Sequence, residues 1–190
     1  MALTDSNMLP LGTLAPEFQL QDSVTDQIVR FPQDLKGKVC VLFFICNHCP
    51  YVIHVNDQLI SIANDYKPKG IEFIAISSND AVAYPDDAPE KMKENAIRLG
   101  YPFPYLIDET QEVAIAYQAA CTPDIYVFDK EHLLVYRGRL DGSRPGNQIP
   151  STGHDLRTAL DALLMNQPIS ELQIPSAGCN IKWKKRKEDL

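Results

Sequence analysis

Seven consecutive residues, Val39-Cys-Val-Leu-Phe-Phe-Ile45, are apolar and rich in β-branched and aromatic side chains, and they run directly into Cys46-Asn47-His48-Cys49-Pro50. A strand without polar alternation has no side to turn toward water. It belongs in the middle of a parallel or mixed sheet covered on both faces. After the cysteines, Val52, Val55, Leu59, Ile62 and Tyr66 recur at three- and four-residue spacings, which predicts a helix over 51–66, closed by Lys67-Pro68-Lys69-Gly70. The chain is therefore organised around a buried strand, a pair of thiols and a helix, in that order.

The remaining pattern fits the same plan. Phe18–Leu20 and Ile28–Phe31 predict an N-terminal β-hairpin. Ile71–Ser77 predicts a second core strand, followed by a polar loop from Ser78 to Pro89 and a helix from about Glu90 to Leu99 ended by Gly100. Tyr105–Ile107 predicts a short strand and Asp108–Ala119 a helix. Ile125–Phe128 and Leu133–Tyr136 predict an antiparallel pair, Arg139–Thr152 a loop and Asp155–Asn166 a last helix. Alternation of strand and helix followed by a hairpin and a helix defines an α/β fold with a mixed sheet. At 190 residues the expectation is one domain spanning 1–190, with 167–190 as a C-terminal extension.

Composition narrows the function. The net charge is −7, which argues against a nucleic-acid protein built on a basic surface. The longest apolar run has eight residues, Val39–Cys46, against roughly 20 for a membrane span. No signal-peptide pattern opens the chain, so the expectation is a cytoplasmic protein without a membrane partner. The segment Lys182-Trp183-Lys184-Lys185-Arg186-Lys187 is a basic exception, read as a solvated tail that Trp183 could pin by burying its ring. Five cysteines are too few for a secreted disulfide scaffold, and in a reducing compartment close pairs point to redox or metal chemistry.

Cys46 and Cys49 sit where a strand gives way to a helix. The first turn of a helix has unpaired N–H groups and a partial positive charge, which favour a thiolate. Cys46 is the expected nucleophile, Cys49, one turn along, the thiol that resolves a mixed disulfide, and His48 a source of positive charge beside them. Pro50 is tolerated early in a helix because the N–H it lacks has no partner there. Two other readings compete. The thiols could be core packing, or Cys46, His48 and Cys49 with Cys121 or Cys179 could ligate zinc, although no second Cys-x-x-Cys supports a metal site.

Thr122-Pro123 precedes the Ile125 strand. Proline at a strand entrance is either an ordinary trans residue or a cis peptide facing the site. Cys121 stands next to it, and Cys179 lies in a Gly-flanked stretch near the end. Each is a candidate additional redox thiol or a bystander. Cys40 reads as packing, and His54, His132 and His154 have no visible partner in the sequence.

Taken together, the core strand, Cys46-Asn-His-Cys49-Pro, the long helix and Thr122-Pro123 before a hairpin and final helix resemble the thioredoxin superfamily. More narrowly they resemble its peroxiredoxin-like AhpC/TSA or redoxin branch. Ala15-Pro-Glu-Phe18, Leu35-Lys-Gly-Lys38, Ile107-Asp-Glu-Thr110, Tyr136-Arg-Gly-Arg139 and Gly178-Cys-Asn-Ile-Lys-Trp183 are similar to segments of that branch. The resemblance implies a thioredoxin fold with an N-terminal hairpin, a cis Thr122–Pro123 bond packed on the cysteine pair, and Thr122 as a main-chain docking point for substrate. The chain departs from thioredoxins at Cys40, where they keep a buried Asp, at Ile45, usually aromatic, and at Asn47-His48, usually Gly-Pro. That leaves His48 as the nearest candidate for proton transfer. It departs from peroxiredoxins at Cys46, where they carry a Thr, and at Pro123, near which they place an Arg.

The expected function is thiol–disulfide exchange on protein or small disulfides, with a thiol electron donor and no cofactor or metal. A thiol peroxidase and antioxidant with Cys49 attacking peroxide is the first alternative. A non-catalytic metal-binding or interaction module is the second.

Overall fold

Strand β4 (Val39–Phe44) is buried at every position, and its alternating side chains feed two separate cores. Val41 and Phe43 join one, with the helix that follows. Cys40, Leu42 and Phe44 join the other, on the opposite face. A strand can be apolar throughout only if both faces are covered in this way. The computed structural model describes residues 3–185, so Arg186 and Lys187 of the basic segment lie outside the described residues.

Around β4 a seven-stranded sheet forms from β2 (Phe18–Asp22), β3 (Ile28–Phe31), β5 (Ile71–Ser77), β6 (Tyr105–Ile107), β8 (Asp124–Phe128) and β9 (Leu134–Tyr136), in the order β3-β2-β6-β5-β4-β8-β9. β4, β5 and β6 run parallel, and β8, β9, β2 and β3 join antiparallel. Helices α1 (Pro50–Tyr66), α2 (Pro89–Leu99) and α4 (His154–Leu164) pack on the Phe43 face, and the short α3 (Glu112–Ala116) on the Phe44 face. This is the mixed α/β arrangement expected, with the N-terminal hairpin β2–β3 joined to the sheet through β6.

Both sheet margins are occupied by nearby chain. Gly12 N donates to Leu134 O (2.8 Å) and Leu134 N to Thr13 O (2.9 Å) along β9. On the other side, Arg30 N of β3 donates to the Asp34 carboxylate at 2.8 Å.

Three departures from expectation have clear causes. The helix expected over 108–119 is only 112–116. Gln111 has a φ of 66°, and the buried Asp108 carboxylate accepts from Val113 N (3.4 Å) and Ala114 N (2.9 Å), anchoring the first turn from outside. Trp183 does not pin the tail; it is 44% exposed. Ile181 is buried instead, and Gln111 clamps the tail backbone, its amide donating to Lys182 O (2.9 Å) and accepting from Lys184 N (2.8 Å). Finally, a second sheet exists, of order β1 (Leu3–Asp5), β10 (Ala177–Asn180) and β7 (Cys121–Thr122), all antiparallel. The segment after residue 167 thus supplies an inner strand.

The loop before α4 is organised by Asp141. Its carboxylate accepts from Ser143 N, Thr152 N and Gly153 N, each at 2.7 Å. Burial alone would raise its pKa, but these N–H groups outweigh that and hold it low. A carboxyl depressed in the folded state stabilises the fold above its unfolded pKa of about 3.9, and that contribution is lost as pH falls through the folded value. Asp141→Ala is expected to cost about 2–4 kcal/mol at pH 7 by stranding these donors. The difference from wild type should shrink as pH is lowered from 7 to below the unfolded value of about 3.9, as read by urea unfolding at both ends of that range.

Candidate active site

The helix begins at Pro50, not at Cys46. Cys49 is its N-cap and Pro50 its first residue. The partial positive charge of the first turn therefore lies at Cys49, while Cys46 stands one turn outside the helix. This changes the electrostatics expected from the motif. The Cys46 thiol is the strongest influence lowering Cys49. Cys179, the Thr122 side chain and the Val52 backbone also lower it, against the cost of burial. Cys46 is pushed far up, first by its hydrogen bond with Cys49, then by burial and by the nearby Asp87 carboxylate. Of the two, Cys46 is driven toward the protonated form and Cys49 toward the thiolate, the reverse of what the motif alone suggests. Both sulfurs are enclosed, Cys46 at 2% and Cys49 at 0% exposure.

Thr122 touches both. Its Oγ1 lies 3.6 Å from Cys46 Sγ and its carbonyl oxygen 3.1 Å from Cys49 Sγ. The Thr122–Pro123 bond is cis. The main-chain edge of Thr122, expected to receive a substrate segment, is in register with the chain's own Cys179. Cys121 is fully buried, and its thiol points to Pro123 O (3.6 Å) and Ser176 O (3.9 Å). Burial, with the Asp124 charge behind it, keeps it protonated. Cys40 is packed in the Phe44-side core.

His48 reaches Cys46 only indirectly. Its Nδ1 is 2.8 Å from Asp87 Oδ2, and its ring stacks on Tyr84 with centroids 5.5 Å apart. Asp87 is the residue that sequence reasoning missed. Its side chain is fully enclosed, and it accepts from Asn47 N (2.8 Å) and Asn79 Nδ2 (2.7 Å). Nothing in the polar loop Ser78–Pro89 distinguishes Asp87 from Asp86 or Asp80. Only the fold carries it under the cysteine loop. Cys46, His48 and Asp87 place one ligand atom each within 4.8 Å of one another, a donor set of zinc type. In that cluster Asp87 takes the place expected for Cys49. The other histidines lie elsewhere; His54 Nε2, for instance, contacts Ser143 Oγ at 2.6 Å.

A mixed sheet whose central strand delivers two thiols to a helix start, opposite a cis-proline strand, defines a thioredoxin-like protein. The chain belongs to the AhpC/TSA family, whose model matches residues 11–137. Among curated proteins it is similar to the thiol-disulfide oxidoreductase ResA of Geobacillus kaustophilus, 29% identical over 130 residues, covering 67% of this chain and 68% of that protein. Among solved structures it is similar to an uncharacterized conserved protein from Geobacillus kaustophilus, at 56% identity and a TM-score of 0.95 over 98% of both chains. It is also similar to a putative thioredoxin from Neisseria meningitidis, at 25% identity and a TM-score of 0.63 over 80% of this chain and 90% of that one. Among the described residues no helix is long and apolar enough to cross a membrane.

Proposed function

We propose that the protein is a thiol–disulfide oxidoreductase whose Cys46–Cys49 pair cycles between dithiol and disulfide. The observation that carries this is geometric: Cys46 and Cys49 stand at the start of α1, and both sulfurs meet Thr122 beside the cis Thr122–Pro123 bond. Cys46 attacks one sulfur of a substrate disulfide, passing its proton to the buried Asp87, and the first substrate thiolate departs and is protonated. Cys49, as the thiolate, attacks Cys46 Sγ; the Cys46–Cys49 disulfide forms, the mixed disulfide breaks, and the second substrate sulfur leaves as a thiolate that takes up a proton from solvent. A thiol donor then reduces the pair. His48 acts by holding Asp87, and Thr122 by contacting both sulfurs. We place this cycle in the cytoplasm, where a reducing thiol pool would supply the donor.

One observation favours a second reading as a thiol peroxidase. Cys49, the sulfur that would attack peroxide, is the N-cap of α1, where a thiolate is favoured, and its pKa is lowered. Turnover of a disulfide-linked peptide in the presence of a dithiol separates the two. Cys46→Ser and Cys49→Ser are each expected to abolish reduction, and an unchanged rate in Cys46→Ser overturns the assignment. Rapid peroxide consumption by Cys46→Ser, with a sulfenate on Cys49, would establish the second reading.

A further inference from the structure

The three-stranded sheet brings a third sulfur to the pair. β10 lies along β7 with Cys179 opposite Thr122 and Asn180 opposite Cys121, and Ile181 N donates to Ala120 O at 3.1 Å. Thr122 is thus the common neighbour of three cysteines. Its hydroxyl meets Cys46, its carbonyl meets Cys49, and its main chain is in register with Cys179. Cys179 is 3% exposed, and its thiol hydrogen-bonds to Cys49.

The approach of β10 is unusually close at Gly178. A Cβ there would stand 2.0 Å from Thr122 O, a backbone atom that cannot swing aside. Only glycine lets β10 settle at this depth, and the depth sets where Cys179 points. The strand is fixed on its other edge by β1, with Leu3 opposite Cys179. Beyond its end Lys182 N donates to Asn79 Oδ1 at 2.8 Å.

We propose that Cys179 is a third redox thiol of this site, exchanging with the Cys46–Cys49 disulfide to form a Cys49–Cys179 disulfide and free Cys46. The step rests on the redox cycle proposed above and is a pure exchange. The Cys179 thiolate attacks Cys49 Sγ, the Cys49–Cys179 bond forms and the Cys46–Cys49 bond breaks. Cys46 leaves as a thiolate and takes up the proton that Cys179 gave up. No electrons enter or leave the three sulfurs.

The surroundings favour this order. In the reduced protein, burial and then the charge on Cys49 keep Cys179 protonated, while the Lys182 ammonium works the other way. Once Cys46 and Cys49 are joined, Cys49 carries no charge and that restraint on Cys179 is gone. Lodging the oxidised bond between α1 and β10 leaves Cys46, less enclosed than Cys49, as the free thiol.

The test is disulfide mapping of the full chain by peptide mass spectrometry, after oxidation with glutathione disulfide and acid trapping of free thiols with a maleimide. Wild type is expected to yield both Cys46–Cys49 and Cys49–Cys179 peptides, Cys46→Ser only the second, and Cys179→Ser only the first. Gly178→Ala, which lifts β10 but touches no sulfur, is expected to lose the Cys49–Cys179 peptide and keep Cys46–Cys49. Cys179 remaining fully alkylatable in oxidised wild type and in oxidised Cys46→Ser, both with native circular dichroism, overturns the proposal while leaving the two-cysteine cycle standing. Absence of Cys46–Cys49 from wild type and Cys179→Ser alike overturns both.

Discussion

Asp87→Asn is expected to reduce disulfide turnover by about 10²-fold or more, the usual contribution of a positioned general base. The variant keeps the side-chain volume and an oxygen for Asn47 N–H, so the cysteine loop should stay in place. It loses the capacity to take the Cys46 proton and the negative charge beside Cys46. Those two losses have opposite signatures. Turnover falls because the proton has no acceptor. Yet the Cys46 thiol becomes easier to ionise, because the Asp87 charge is one of the influences that push it up. Alkylation of Cys46 in the reduced protein should therefore begin at lower pH in the variant, while the turnover rate drops across the range. A purely structural role would move both in the same direction. Wild-type turnover in Asp87→Asn would remove Asp87 from the mechanism.

Phe43→Ala is expected to destabilise the protein by about 3–5 kcal/mol, the range for truncating a fully buried aromatic residue. Phe43 is 0% exposed in the central strand, held between Ala75 of β5 and Ile125 of β8. Its ring meets Phe103 edge-on with centroids 5.0 Å apart, a geometry that adds to the burial itself. The void would open in the core between the sheet and α1, beside the Phe103 ring. Urea unfolding should show a lower midpoint with an unchanged slope. A loss below about 1 kcal/mol would mean that the space is refilled by repacking.

The backbone of the fold was legible because its signals are local. The apolar run of β4, the helical spacing from Val52 to Tyr66 and the alternation after it each specify one element, and together they fix an α/β plan. The cysteine pair was legible for the same reason. What escaped was set by long-range packing. The four-residue strand β10 has a composition, Ala-Gly-Cys-Asn, with no strand propensity, and it exists because β1 and β7 flank it. Asp87 is one acid among several in a polar loop. The balance between the two thiols was set by their contacts with each other and with Thr122, Cys179 and Asp87, which the motif does not display. Likewise Trp183 looked like the anchor of the tail by ring size, but Gln111, a residue with no sequence signal, holds it.

The margins of the large sheet bear on how copies of this chain can meet. An open strand edge is a template for adding a strand from another molecule, and so for aggregation. Here the β9 margin already bonds to residues 12 and 13, and the β3 margin is short, carries Arg30 and gives one of its N–H groups to Asp34. The chain's own segment thus closes the β9 margin to an added strand, and the Asp34 carboxylate takes one of the donors such a strand would need at β3. Contact between copies through this sheet is steered toward side-chain faces, where charge and shape can discriminate between partners, rather than the indiscriminate pairing of backbones.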